Sequence, residues 1–300
     1  MIPEKRRLNA DIASSISQLQ AILKQFEKKQ KIYKLIIRGK GLEFETYRNF
    51  TADDDAGMID WKASKRANKL LAKQFKEEKD LKIMFLIDIG ENMVSGSTAK
   101  LKCEYSAEVT GALAHMVSSG GDKAGFLYFN EKVVKYVRPS RGEKHFGQFL
   151  DDITNAENYF GSSNLKIAFD FAFDYFPRST ESVVVISDFT SFDEEAKSSL
   201  LPIAKKFETL LLSIKDPIDK TLPDFSEEMV IEDPKTGQQM LVNPAIAKKI
   251  YEQQMLQKEK FLHEACSKNN MDLLELTTDK PFISSLATFL KERTKRRKLI

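Results

Sequence analysis

The chain has 300 residues, with 47 Lys and Arg against 44 Asp and Glu, a formal net charge of +3 and 42% hydrophobic residues. That mix excludes a disordered or fibrous chain, and the near balance of charge excludes one that holds nucleic acid by bulk electrostatics. Two cysteines far apart in sequence, Cys103 and Cys266, make neither a disulfide framework nor a four-cysteine zinc site.

From the N-terminus, Leu8, Ile12, Ile16, Leu19, Leu23 and Phe26 recur at steps of four, four, three, four and three residues, one apolar stripe of a long helix over 8–29. Either this helix docks on its own domain or it binds a partner. Residues 33–80 are irregular and heavily charged, with the chain's only tryptophan, Trp61, among acids and bases; 62–79 reads as helix or mixed structure. Then Leu81–Ile89 forms a nearly continuous apolar run interrupted by Asp88, the mark of a strand buried on both faces. A helix is expected over about 100–117, and a hairpin from 124–129 and 133–137 around Asn130-Glu131. Further helices are expected near 143–153 and 164–176, then a second buried strand, 182–188, ending in Asp188. A helix at about 193–206 leads into a strand at 209–214 and a polar excursion over 216–242. A long helix (244–269), a last strand (271–276) and a closing helix after Pro281 complete the pattern.

Strands alternating with helices predict an α/β fold: a doubly wound, mostly parallel sheet, Rossmann-like, with an N-terminal helix and a C-terminal helical extension. The expected organisation is a helix and lead-in (1–37), a signature segment (38–80), an α/β core (81–215), and a C-terminal part (216–300) completing the same domain. No apolar h-region follows the charged start, and no uncharged run approaches the ~20 residues of a membrane helix, so a cytoplasmic protein is expected. The tail from Lys291 to Lys298 is strongly basic and reads as the solvated end of the last helix.

Ligands of open α/β sheets bind beyond the carboxyl ends of the strands, where Asp88 and Asp188 are expected to meet. Two converging carboxylates are costly unless a cation or basic group neutralises them. Asp88-Ile-Gly90-Glu-Asn92 and Gly161-Ser-Ser163-Asn164 together with Asp188 resemble the metal-ion-dependent adhesion site of von Willebrand factor A domains. The resemblance implies a metal set of Asp88, Asn92, Ser163 and Asp188, with Mg²⁺ as the candidate cofactor. Gly90 offers no side-chain ligand, and a divalent ion needs about six oxygens, so a metal-free crest is the alternative.

A second resemblance lies upstream. Gly41-Leu-Glu-Phe44, Tyr47-Arg48, Asp53-Asp54-Asp55 and Ile59-Asp60-Trp61-Lys62-Ala63-Ser64 with Arg66 are similar to the signature of domain-of-unknown-function family fifty-eight. It continues through Gly121-Asp122-Lys123-Ala-Gly125, Pro139-Ser-Arg-Gly142 and Leu276-Thr-Thr-Asp279, covering most of 38–296. The family places this block before a von Willebrand A-like domain. It implies a non-enzymatic protein-interaction module, an adaptor or substrate of a MoxR-type AAA+ ATPase in complex assembly or maturation. Arg48, Asp54, Asp60, Trp61, Lys62 and Arg66 form the candidate recognition or scaffold set: either acids and bases pair in a partly buried network around Trp61, or Trp and Arg anchor an interface. A competing reading takes Asp60 with Glu77-Glu78-Lys79 as the Asp…Glu-x-Lys arrangement of a metal-dependent nuclease or nucleic-acid-binding protein. No phosphate-binding glycine loop or nucleophile elbow is present in the sequence.

Overall fold

The computed structural model describes residues 6–24, 44–51, 59–75, 80–222, 229–232, 239–242 and 244–289. The N-terminal stripe forms α1 (Ile12–Lys24). The signature segment holds β1 (Phe44–Asn49), α2 (Trp61–Ala67) and β2 (Leu71–Phe75), with the two strands paired antiparallel. The segment 62–79 is therefore a short helix followed by a strand as far as it is described. Asp53 to Asp55 and residues 76–79 lie outside the described residues.

The core begins with β3 (Lys82–Asp88), α3 (Lys102–Ser119), the hairpin β4 (Lys123–Phe129) and β5 (Val133–Ser140), and α4 (Glu143–Ile153). It continues through α5 (Leu165–Tyr175), β6 (Ser182–Ser187), α6 (Glu194–Lys206) and β7 (Glu208–Lys215). The polar excursion contains an antiparallel pair, β8 (Met229–Glu232) with β9 (Gln239–Val242). The long helix α7 (Pro244–Lys268), the strand β10 (Asp272–Thr277) and a closing helix α8 over 282–289 follow.

One six-stranded sheet has the order β10-β7-β6-β3-β4-β5, parallel throughout except for β5 at its edge. The chain leaves β3 toward one side, then returns to place β6 on the other. This is a doubly wound sheet whose switch point lies between β3 and β6. Counted from β3, the spatial order and the antiparallel edge are those of a von Willebrand A-like fold.

The apolar runs are buried on both faces because each strand feeds two cores. Ile83, Phe85, Ile87, Val184 and Ile186 pack into one layer with α1, α3, α4 and α8. Met84, Leu86, Val183 and Val185 pack into the other with α5, α6 and α7. The two-residue strand period does the sorting. Phe126 stacks between Phe85 (5.8 Å) and Phe149 (4.1 Å), tying β3, β4 and α4 together.

The N-terminal helix docks on its own domain. Leu19 is buried, Ile12 fits over Gly111 of α3, and any side chain at 111 would collide with Ile12. Two buried α3 carboxylates fix the approach: Glu104 Oε1 accepts from the Asn9 amide (2.9 Å) and Glu108 Oε1 from the Asp11 amide (2.8 Å). Both cysteines are buried free thiols, and burial pushes each up to about 12, as packing residues. His145 is half-buried against Phe126 with Nε2 2.7 Å from the Ala124 carbonyl oxygen.

Candidate functional site

The carboxyl edge of the sheet is assembled from three chain exits. Asp88 is the last residue of β3, and the amide of Gly90 folds back onto its Oδ1 (2.9 Å) before a 3-10 turn at Glu91–Val94. The loop ahead of α5 is pinned to that exit. Glu91 N donates to the Gly161 carbonyl (2.8 Å), Phe160 N to the Ile89 carbonyl (3.1 Å), and Asn130 Nδ2 to the Phe160 carbonyl (2.7 Å). Asn164 caps α5 through Ile167 N (3.2 Å). This loop delivers Ser163, whose hydroxyl donates to Asp88 Oδ2 at 2.7 Å.

Asp88, Asn92 and Ser163 are thus brought together. A third neighbour, Ser187, was not expected from the sequence. Its hydroxyl donates to the same Asp88 Oδ2 at 2.6 Å. The signal was the strand register: Ile87 pairs with Ile186, so the residue abreast of Asp88 is Ser187. Asp188, one residue on, takes its partners from the α3 side of the sheet. Asp88 and Asp188 do share the rim, but they engage separate groups.

Asp188 is completely buried and pairs with an equally buried lysine: Lys102 Nζ, in the first turn of α3, lies 2.9 Å from Asp188 Oδ2. The same ammonium reaches Asp219 Oδ2 at 3.1 Å. Thr190 N donates to Asp188 Oδ1 (2.9 Å), and Lys215 Nζ donates to the Asp188 carbonyl. Asp219 is held in place by a 3-10 turn (Pro217–Asp219), with the Asp216 amide on its Oδ2 (2.9 Å). Asp216 in turn accepts from Ser97 N (2.9 Å) and from Thr278 (2.8 Å).

These contacts set the protonation states. Burial alone would raise the Asp188 pKa, but the Lys102 and Lys215 ammoniums outweigh it and hold the carboxyl low. Burial would likewise lower Lys102, yet Asp188 and Asp219 raise it above its ordinary value. For Lys215 burial prevails and its pKa falls. Asp88 has no such cation. Burial, then the Asp188 charge, raises it to about 6 against the hydrogen bonds from Ser187, Ser163 and Gly90.

The donor set does not fit a resident Mg²⁺. Of the four residues the adhesion-site resemblance implied, Asp188 is committed to an ammonium, and both Asp88 oxygens already accept hydrogen bonds. Asn92 turns its Nδ2 toward Asp88 Oδ2 (3.4 Å), leaving its buried Oδ1 without a hydrogen-bond partner. A Cβ on Gly90 would collide with that Oδ1 and lie 3.0 Å from Ser163 N, so a side chain at 90 would have to move the Asn92 amide. One carboxylate, two hydroxyls and one amide oxygen would leave water to complete the shell of such an ion, and the buried Lys102 ammonium beside them repels a second cation.

In the signature segment the structure separates the candidates. Asp60 is the N-cap of α2: Oδ1 accepts from Lys62 N and Ala63 N, both at 3.0 Å, and Oδ2 from the Tyr47 hydroxyl at 3.0 Å. That cap function accounts for its place before Trp61. Ser64 closes the corner by accepting from Leu71 N (2.9 Å). Trp61 is 68% exposed, and Lys62 and Arg66 are also on the surface, so Trp61 is not packed inside an ion-pair network. Arg48 NH1 donates to the Asn49 carbonyl at 3.4 Å. Asp54, Glu77, Glu78 and Lys79 lie outside the described residues.

Beside the crest, between β7, β10 and α7, a cavity of about 250 Å³ is lined by Thr190, Lys215, Asp219, Met255, Leu262 and Glu275, among others. At its rim Glu259, His263 and Glu275 converge. His263 Nε2 lies 3.1 Å from Glu275 Oε1, and Lys220 Nζ lies 3.6 Å from each carboxylate, which makes an ion-pair cluster.

The chain is similar to several known proteins. A family model described as Protein of unknown function DUF58 matches residues 46–260. Uncharacterized proteins of Mycobacterium bovis and Mycobacterium tuberculosis are 23% identical over 272 residues, covering 86% of this chain and 81% of theirs. Among solved structures, conserved hypothetical protein BatB from Bacteroides thetaiotaomicron is similar with a TM-score of 0.50 at 13% identity, covering 72% of this chain and 99% of that one. The SpRpn10 VWA domain matches with a TM-score of 0.40 at 13% identity, over 69% of this chain and 94% of that one. Among the described residues no helix is long and apolar enough to cross a membrane.

Proposed function

We propose a function from one premise: the chain belongs to the family described as Protein of unknown function DUF58, and its von Willebrand A-like domain is a protein-interaction module that works without turnover. Its partner on this reading is an AAA+ ATPase of the MoxR type, for which the chain serves as adaptor or substrate during assembly or maturation of a complex.

The observation that carries the reading is the build of the switch-point crest. Side chains from β3, the loop before α5 and β6 meet there on Asp88, and α3 adds its ammonium to Asp188, so the rim is held by hydrogen bonds from four parts of the chain. Rigid, pre-organised surfaces suit recognition, because little ordering entropy is spent on binding. The charged and hydroxyl groups of the crest are engaged with one another: the ammonium of Lys102 is buried in two ion pairs, and the hydroxyls of Ser163 and Ser187 both donate to Asp88. Exposed Trp61, with Lys62 and Arg66 beside it, supplies the residue types that dominate interface energetics.

Affinity capture from the native cell, with the full chain as bait, tests the reading. The expected result is co-purification of a MoxR-type ATPase, reduced by Trp61→Ala and by Asp88→Ala. Retention by both variants, or divalent-dependent nuclease activity lost on Asp60→Ala or Lys79→Ala, overturns it.

A further inference from the structure

We propose that Lys102 is the crest's built-in cation: its ammonium does the charge compensation that a divalent ion does at an adhesion-type site, so that the site is metal-independent by construction. The inference goes beyond the interaction reading and does not depend on any partner.

The argument begins with the charges out of water. Asp188 and the Lys102 side chain are 0% and 3% exposed, so neither can be neutralised by bulk solvent. A carboxylate so buried either takes up a proton, as Asp88 tends to, or stays ionised against a cation in contact, whether a metal or a protonated base. Lys102 supplies it at 2.9 Å, within hydrogen-bonding range, and Asp219 adds a second contact to the same nitrogen at 3.1 Å. Lys215 completes the group from β7 through the Asp188 carbonyl. A second cation at this carboxylate would face the repulsion of two ammoniums.

The other half of the rim is consistent with this arrangement. The residues two and four places after Asp88 are a glycine and an asparagine. Gly90 is packed closely against Asn92 and Ser163, so a side chain there would have to displace the Asn92 amide and press on the Ser163 backbone. The hydroxyls of Ser163 and Ser187 spend their protons on Asp88 Oδ2, which is then satisfied without an ion. The crest is therefore completed by protein donors on the Asp88 side and by a protein cation on the Asp188 side. A partner docking here meets no open coordination position and is not selected by a carboxylate-to-metal bond.

The experiment is calorimetric titration of the metal-stripped full chain with MgCl₂ and MnCl₂, paired with thermal melts in EDTA and in each ion. Wild type is expected to show no binding heat at millimolar ion and no shift in melting temperature. Lys102→Ala exposes the two carboxylates to each other. It is expected to melt lower than wild type in EDTA and to recover part of the loss in Mn²⁺. The double variant Lys102→Met with Asp188→Asn removes the charges together, and is expected to fold and to stay indifferent to ion even if Lys102→Ala does not fold. Stoichiometric Mg²⁺ or Mn²⁺ binding by wild type that disappears in Asp88→Ala overturns the proposal. So does a Lys102→Ala protein as stable as wild type in EDTA. Neither result bears on whether an ATPase binds, so failure here is distinct from failure of the interaction reading.

Discussion

Asp88 and Asp188 sit on the same rim yet respond to acid in opposite directions. Removing one partner of a buried ion pair costs about 3–5 kcal/mol, because the remaining charge is left out of water. Lys102 prevents that cost at Asp188, whose carboxyl is held below its ordinary value. Its contribution to stability is present above the unfolded pKa of 3.8 and is lost as the pH falls below that. Asp88 lacks a cation, and its folded pKa is raised from 3.8 to about 6. Folding favours its protonated form, so its contribution is full below 3.8 and is lost as the pH rises through about 6. Urea unfolding across this range is expected to show wild-type stability dropping between those two values, with the drop removed in Asp88→Asn. An Asp88→Asn curve that keeps the same drop contradicts the assignment. From the sequence alone Asp88 and Asp188 were legible as strand-terminal acids. Lys102 was not: one lysine in a charged helix start has nothing to mark it until α3 is laid against β6.

Among the elements, α1 shows how a single missing side chain fixes a docking geometry. Gly111 opens the surface of α3, Ile12 lies over it, and the buried carboxylates of Glu104 and Glu108 receive the two amides that lead into the helix. Glycine inside a helix weakens it by roughly 0.5–1 kcal/mol relative to alanine, which close packing here offsets. Gly111→Val is expected to lift α1 from α3 and leave the sheet folded. Hydrogen exchange should then accelerate in residues 12–24 while β3 and β6 stay protected; unchanged protection of 12–24 contradicts this account. The stripe from Leu8 to Leu19 made this helix legible, and Gly111, an ordinary glycine in sequence, concealed its seat. The pair β8–β9 escaped the reading for a different reason. Its strands are four residues each, set in a proline-bearing polar stretch, and short strands carry little periodic signal. The corner of α2 and β2 was also blurred, since both elements are short (seven and five residues) and neither shows a clear apolar period.

At the scale of the whole molecule, the fold was written mainly in two apolar runs. Strands β3 and β6 are continuous because each faces a core on both sides, and that pattern with the interleaved helices was enough for a doubly wound sheet. Sequence order could not say which acid would meet which base at its edge. The parity of a parallel pair decides it: Asp88 lies abreast of Ser187 and turns to the α5 side, while Asp188 turns to α3 and finds Lys102. The adhesion-site resemblance and the structure therefore agree on where the crest is and differ on what neutralises it. The most direct measurement is a crystal structure of the full chain grown with MnCl₂, with anomalous data collected for manganese. The account predicts Lys102 Nζ between Asp188 and Asp219 with no anomalous peak at the rim; a manganese peak bonded to Asp88 and Ser163, with Lys102 swung away, would contradict it.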